Sequence, residues 1–284
     1  MNYLGIIGSA RKLGNTEILV KEALKKAHER GDKVTLIRLT DMALHPCEGC
    51  MACIFKGAPC HINDDMAFLL ESLLDAGAVI LGAPTYVLAP AGVLKLMTDR
   101  LFMMSTRVRS SLAGKRAATV AVAGVRDWEP FSLPLLNMVP LALGMELLDS
   151  FAAYAPGPGE VLLHRAVMER AALMGELLDG KALSPPPREA MHCPLCKGTF
   201  FLIRSRDVAE CPLCALQGTY DEKDGRMHFN PSMDSPSRWS PLSMERHIEG
   251  WIKGTERGFR SRSRDILGAR KAYRQMDHCF ARPS

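Results

Sequence analysis

The strongest constraint on the fold of this chain is the alternation of short apolar runs with amphipathic stretches over its first 180 residues. Apolar runs with the length and composition of buried strands lie at residues 3–8, 33–39, 78–81, 117–123 and 146–153. Patterns of helical period separate or follow them, at residues 15–28, 66–74, 90–104, 130–145 and 164–178. Because strands that alternate with helices form right-handed βαβ units, we predict an α/β fold with a five-stranded parallel sheet in an α/β/α sandwich.

A change of composition after residue 183 divides the chain. The run Ser184-Pro185-Pro186-Pro187 predicts a stiff linker over residues 184–190, which follows a sandwich domain at residues 1–183. A small cysteine-containing module at residues 191–230 comes next, and a basic, partly helical tail occupies residues 231–284.

The tail is strongly basic. From Arg238 onward it contains eleven basic and five acidic residues. Helices are predicted within it at residues 243–253 and 263–277. The charge suits an acidic partner such as a ferredoxin, or nucleic acid, and it suits a solvated helix face equally well.

Composition and termini predict a soluble, cytoplasmic protein. Hydrophobic residues make up 47% and charged residues 24% of the chain, and its apolar runs are too short to span a membrane. The first residues lack the basic segment of a secretory signal. In a reducing compartment, the nine cysteines point to metal binding or redox chemistry rather than to disulfides.

The segment Gly8-Ser9-Ala10-Arg11-Lys12-Leu13-Gly14-Asn15-Thr16 joins the first strand to the first helix. A loop in this position surrounds an anion with backbone N–H groups, and the hydroxyl and amide side chains add donors. The segment lacks both the Gly-Lys-Ser/Thr of a P-loop and the glycine spacing of a dinucleotide site. It therefore suits one phosphomonoester, such as that of FMN, and the alternative is a plain strand–helix turn.

This segment resembles the FMN-phosphate loop of the NADPH-dependent FMN reductase family, whose fold is flavodoxin-like. A second match runs from Pro84-Thr85-Tyr86 to Lys95, Asp99 and Arg100. The resemblance implies that FMN is held by Ser9, Arg11, Gly14, Asn15, Thr16, Pro84, Thr85, Tyr86, Val87 and Gly124. It also implies a homodimer or tetramer. No catalytic side chain is required, because the cofactor carries the chemistry.

A first cysteine quartet lies in the loop at residues 45–63. We call its members the loop cysteines: Cys47, Cys50, Cys53 and Cys60. Two consecutive C-x-x-C steps place three thiolates on one compact segment, as an iron–sulfur cubane requires, whereas zinc sites draw one C-x-x-C from each of two knuckles. The spacing resembles that of iron–sulfur flavoproteins, a branch of the same family with a 4Fe–4S cluster beside FMN. The alternative is a remnant without a cluster.

A second quartet lies in the small module. Its members, the ribbon cysteines, are Cys193, Cys196, Cys211 and Cys214. Two Cys-Pro-Leu-Cys knuckles around a strand-like stretch at residues 199–205 predict a zinc ribbon, with a single rubredoxin-type iron as the alternative. In so small a module the metal supplies much of the folding free energy.

Together these features predict an FMN-dependent electron-transfer oxidoreductase whose 4Fe–4S cluster relays electrons to or from FMN. Ferredoxin or NAD(P)H would be the donor. One alternative is an NAD(P)H-dependent FMN or quinone reductase without a cluster. Another, of a different class, is a redox-sensing metal-ribbon protein that binds nucleic acid or a partner protein.

Overall fold

The computed structural model describes residues 1–103, 105–181, 184–185, 191–223, 225–229 and 237–281, with the side chains of residues 102–108 excepted. Of the predicted linker at residues 184–190, it thus describes only the first two positions.

The first domain is built on five parallel strands. They are β1 (Asn2–Ile7), β2 (Lys33–Arg38), β3 (Ala78–Tyr86), β5 (Arg116–Ala123) and β6 (Glu146–Tyr154). Their order across the sheet is β2-β1-β3-β5-β6, and the two-residue strand β4 (Ala89–Pro90) pairs antiparallel with the end of β3. The predicted flavodoxin-like sheet is confirmed. The chain winds outward from β1 to β2 and then crosses to β3, so the switch point lies between β1 and β3.

Helices cover both faces of the sheet. Helices α1 (Asn15–Glu29) and α7 (Arg165–Leu178) pack on one face. The other face is covered by α3 (Met66–Asp75), α4 (Val93–Met103), α5 (Ser105–Leu112) and α6 (Ser132–Ala142). Because side chains of a strand alternate between faces, Tyr3 and Ile7 enter the first core while Leu4 and Ile6 enter the second.

Two predicted helix bounds differ from the structure. The helix expected from residue 90 begins at Val93, because residues 89–90 instead pair with the end of β3 as strand β4. In the tail, two separate helices were predicted, but one helical run extends through α8 (Pro241–Glu245), a π-helical turn (Arg246–Ile252) and α9 (Lys253–Arg274). The ion pair Arg260–Glu256, four residues apart, supports the stretch that the apolar pattern missed.

The small module is a four-stranded antiparallel sheet. Its strands are β7 (Leu202–Ile203), β8 (Val208–Glu210), β9 (Gln217–Asp221) and β10 (Arg226–Phe229), in the order β10-β9-β8-β7. The strand-like stretch predicted at residues 199–205 reduces to the two residues of β7. Over the described ranges, no helix is both long and apolar enough to cross a bilayer.

Candidate functional site

The phosphate loop, residues 8–16, connects β1 to α1. Gly14 is the N-cap of α1, has an extended backbone and offers no side-chain oxygen to the first turn. The N–H groups that open a helix have no partner within it, and an uncapped N-terminus directs them, with the positive end of the helix dipole, at an anion. This local geometry fits a phosphate.

The acidic residue in this first turn, Glu17, is neutralised by its neighbours. It accepts a hydrogen bond from the Leu13 N–H at 2.8 Å and pairs with Arg38 and with Lys21. Burial opposes the charged form, but the hydrogen bonds from Lys21, Leu13 and Arg38 prevail and lower the pKa of Glu17 to about 2. A carboxylate beside the loop is therefore compatible with a bound anion.

The predicted phosphate-binding side chains differ in their burial and in their hydrogen-bond partners. Ser9 is buried, and its Oγ accepts a hydrogen bond from the Arg11 N–H at 3.2 Å, which leaves its O–H able to donate. Thr16 is buried and Arg11 is exposed.

Asn15 does not fit the predicted role of a side-chain donor. Its Nδ2 donates to the carbonyls of Ala155 at 2.9 Å and Gly157 at 2.8 Å, and its Oδ1 accepts from the Val161 N–H. Both amide hydrogens are thus used within the protein. Asn15 instead ties α1 to the segment after β6. These partners lie about 140 residues away, so local sequence could not reveal them.

The ring loop, residues 84–91, comprises the last three residues of β3, the turn after it and β4. Tyr86 and Val87 are exposed, and Val87 and Leu88 have left-handed backbones with φ of 48° and 68°. A β-branched residue rarely adopts this conformation, and such strain concentrates at functional sites. The Pro84 backbone continues the β3–β5 ladder, so the loop leaves a rigid strand end.

A third loop, residues 124–131, follows β5 and includes Gly124. Arg126 lies 4.4 Å from the ring centre of Tyr154, and the Tyr154 hydroxyl donates to Glu129 at 2.7 Å. Burial, together with this hydrogen bond, raises the pKa of Tyr154 to about 12. The third loop is bonded to the ring loop, because the Phe131 N–H donates to the Leu88 carbonyl at 3.1 Å.

All three loops leave the carboxyl ends of parallel strands, on both sides of the switch point. This crevice is where α/β sheets bind nucleotides. The uncapped start of α1 lies at one part of it, and the exposed tyrosine and strained backbone of the ring loop lie at another. The residues present therefore fit a mononucleotide such as FMN.

The loop cysteines follow β2 at the same edge of the sheet. The short helix α2 (Ala52–Phe55) carries Cys53, and the four thiols line one small cavity together with Arg100. Burial raises the pKa of Cys53, and the neighbouring Cys50, Cys60 and Cys47 raise it further. Four thiols thus converge on a common space.

Arg100 connects this cavity to α4. Its side chain is buried and paired with Asp64, and its Nη2 donates to the Cys60 sulfur at 3.4 Å. Its Nε is buried and has no hydrogen-bond partner among the described residues. Hydrogen bonds and positive charge at the sulfur suit a thiolate that ligates a cluster. The second motif match of the sequence included Arg100, but it did not predict the contact of Arg100 with Cys60.

His61 is a second neighbour that the spacing did not identify. Its Nδ1 lies 3.7 Å from the Cys50 sulfur, and its Nε2 lies 3.0 Å from Glu48. A polar ring therefore flanks the cavity at Cys50. The sequence signal was its position directly after Cys60.

The ribbon cysteines form a compact site. Their sulfurs all lie within 4.8 Å of one another, and all four residues are buried. The two knuckles have the same backbone: Lys197 and Ala215, each directly after the second cysteine, are left-handed, with φ of 57° and 56°. Four convergent buried thiols are a donor set that can hold a metal ion in tetrahedral coordination.

The ribbon is packed against the first domain through a buried polar contact. Asn137 of α6 donates to the Cys196 carbonyl at 2.7 Å and to the Ser150 Oγ at 3.1 Å, and it accepts from Thr119. Leu141 and Leu147 share an apolar cluster with the ribbon cysteines. The metal site and the sheet thus belong to one packed unit.

Fold and site together define a flavin-binding oxidoreductase of flavodoxin-like architecture. The sequence model of the NADPH-dependent FMN reductase family matches residues 1–145, and the chain belongs to this family.

Curated relatives fall into two groups. An iron–sulfur flavoprotein of Archaeoglobus fulgidus is 33% identical over 162 residues, which cover 57% of this chain and 72% of the relative. Flavone synthase cfoJ of Aspergillus candidus is 27% identical over 301 aligned positions, covering 90% of each chain. Among solved structures, a flavone reductase has a TM-score of 0.77 at 20% identity and covers 100% of both chains, so it shares the fold of the whole chain.

Proposed function

We propose that this oxidoreductase holds a 4Fe–4S cluster on the loop cysteines and exchanges electrons between that cluster and FMN. The observation that carries the proposal is the convergence of four thiols and the Arg100 guanidinium on one cavity at the flavin edge of the sheet. The match to iron–sulfur flavoproteins over the first domain supports it. FMN exchanges one or two electrons and a cluster one at a time, so the pair would join one- and two-electron partners.

The chain's own residues position these groups. The first amides of α1 and the Ser9 hydroxyl would bind the FMN phosphate, and Thr85, Tyr86 and Val87 would lie along its ring. Arg100 holds the Cys60 sulfur by a hydrogen bond and is itself fixed by Asp64. Because Arg100 lies on α4, which follows the ring loop, one helix links the two cofactor sites.

The electron donor that we propose is NAD(P)H or a ferredoxin-like protein. The family supports the nicotinamide. The small acidic carrier is supported by the tail, since α9 carries many basic side chains and contacts α2, the helix of Cys53. A rate that falls steeply with ionic strength would favour the acidic carrier over the nicotinamide.

For the acceptor we propose a planar aromatic compound of the flavone type. The matched length supports this choice. Iron–sulfur flavoproteins match 57% or less of this chain, whereas flavone synthase cfoJ matches 90%, a span that includes the ribbon. The relative whose match extends over the ribbon is thus the one named for a flavone.

For the ribbon cysteines we propose zinc with a structural role. We also propose that the protein is cytoplasmic and forms a homodimer or tetramer. Four buried thiolates with no open coordination position suit a structural ion, and zinc favours them. Tetrathiolate iron is the alternative outcome of metal analysis. Nucleic-acid binding by the basic tail is the competing role, and binding that ignores salt would exclude it.

One experiment tests the core of the proposal. Protein purified without oxygen is examined by absorption spectroscopy and by fluorescence after release of its flavin. We expect bound FMN together with broad iron–sulfur absorption, and bleaching of both on reduction. A colourless protein that fails to bind added FMN would contradict the proposal, and flavin without cluster absorption would leave the cluster-free reductase.

A further inference from the structure

Two aromatic rings from distant parts of the chain stack at the edge of the flavin site. Phe131 lies directly before α6, and Phe200 belongs to the ribbon. Their ring centroids are 5.6 Å apart with an angle of 26° between the planes. Although stacked, the two residues remain 47% and 37% exposed. The pair therefore presents aromatic surface to solvent rather than closing a core.

Hydrogen bonds place this pair beside the ring loop. The Phe131 N–H donates to the Leu88 carbonyl at 3.1 Å. At the next residue, the Ser132 and Thr85 hydroxyls are hydrogen bonded at 2.7 Å. The aromatic stack thus borders the segment that would lie along the isoalloxazine ring.

The ribbon holds Phe200 in this position. Asn137 of α6 binds the Cys196 carbonyl, four residues before Phe200 in the chain. The same helix begins just after Phe131. Both rings are therefore fixed to α6, one through the helix start and the other through the metal-binding knuckle.

The ring loop and the third loop carry further exposed apolar side chains. Tyr86 and Val87 of the ring loop and Val125 and Trp128 of the third loop are exposed. Clustered exposed apolar surface marks a binding site, whereas scattered single residues do not. The neighbouring charged groups Arg126 and Glu129 are both engaged by Tyr154. Asp127 of the third loop is exposed as well, and the rest of this surface consists of aromatic rings and valine side chains, which suit a planar aromatic compound.

We propose that Phe131 and Phe200 form one wall of the acceptor site, and that the ribbon thereby selects planar aromatic acceptors. This inference rests on the proposed FMN-dependent function. It assigns the ribbon a part in specificity beyond the structural metal. Phe200 is a specificity-determining residue that reaches the site from a separate module.

The test compares Phe200→Ala and Phe131→Ala with the wild-type full chain. Menadione serves as a planar acceptor and ferricyanide as a small one that needs no aromatic wall. Flavone binding is measured separately by its perturbation of the flavin spectrum. We expect the KM for menadione and the Kd for flavone to rise about three- to tenfold, the strength of an aromatic contact, with kcat and ferricyanide reduction unchanged.

Two controls separate specificity from folding. Ile203→Ala removes an exposed apolar side chain from the same ribbon and should change neither constant. Phe200→Tyr keeps the ring and should restore the wild-type values. Metal and FMN contents equal to the wild type establish that the ribbon and the flavin site are intact.

The inference is overturned if both alanine variants keep the wild-type constants, or if the wild type binds neither flavone nor menadione. It is also overturned if ferricyanide reduction falls as much as menadione reduction. Failure of the protein to bind FMN would instead remove the proposed function, and the flavin content measured beforehand distinguishes these cases.

Discussion

Replacing Arg100 tests the buried pair that joins the cysteine cavity to α4. Arg100 is 3% exposed and lies against Asp64, which also accepts hydrogen bonds from the His45 N–H at 2.8 Å and the Met66 N–H at 3.1 Å. Arg100→Met leaves a buried carboxylate without its cation. Removing one partner of a buried pair costs about 3–5 kcal/mol, and we expect the free energy of unfolding to fall by that amount.

A surface pair on the same helix provides the matched control. Lys95 and Asp99 are four residues apart on α4, with side chains that are 71% and 41% exposed. Exposed pairs contribute about 0.2–1 kcal/mol, so Lys95→Met should hardly shift the transition. Urea unfolding of the sandwich domain, followed by far-ultraviolet circular dichroism, measures both variants.

The pH dependence gives a second readout. Burial acts to raise the pKa of Asp64, but hydrogen bonds from His45, Arg100 and Met66 hold it below its ordinary value. The stabilisation is therefore present above the ordinary pKa and is lost as the pH falls through the lowered one. In Arg100→Met the pKa of Asp64 in the folded protein should lie closer to its ordinary value, so less stability should be lost as the pH falls. Two results would refute the reasoning: equal destabilisation by Arg100→Met and Lys95→Met, or the same fall in the free energy of unfolding at acidic pH in Arg100→Met as in the wild type.

Three other perturbations have defined outcomes. The wild type should lose about 3 kcal/mol of its free energy of unfolding as the pH falls from 4.5 towards 2, and Glu17→Gln should lack this contribution at neutral pH. Unfolding curves measured at acidic pH test this; the same loss of stability with falling pH in Glu17→Gln as in the wild type would contradict the assigned pairs. Asn15→Ala removes the hydrogen bonds that Asn15 makes with the Ala155 carbonyl and the Val161 N–H, while the Gly157 carbonyl keeps its bond from the Glu160 N–H; it should cost at least about 2 kcal/mol in urea, whereas a near-neutral change would show that water replaces the amide. Cys211→Ser should release the ribbon metal and expose the β7–β10 sheet to protease while the sandwich domain stays folded; retention of a full metal equivalent would contradict the four-cysteine site.

The elements of the sheet could be read from the sequence, but their arrangement could not. Parallel strands that are buried on both faces are nearly continuous apolar runs. The strands at residues 78–81 and 117–123 could therefore be predicted from the sequence. Strand order depends on packing between residues far apart in the chain, which periodicity does not contain. The pairing of β1 with both β2 and β3 is such a property.

The residues of the site likewise divide into those that the sequence predicted and those that it did not. Cysteine spacing predicted two separate quartets because the cysteines of one are close in the chain and those of the other lie on paired knuckles. Partners from elsewhere were missed: Arg100 reaches Cys60 from 40 residues away, and Phe200 reaches Phe131 from another module. The role predicted for the Asn15 side chain failed for the same reason, since its partners lie beyond β6.

The content of acid-labile sulfide in anaerobically purified protein shows whether the loop cysteines hold an iron–sulfur cluster. A metal held by the ribbon cysteines contributes iron or zinc but no sulfide, so sulfide reports the loop cysteines alone. We expect about four sulfides per chain together with FMN, and the loss of these sulfides in Cys53→Ser while the ribbon metal remains. Wild-type protein with bound FMN and no sulfide would contradict the electron relay.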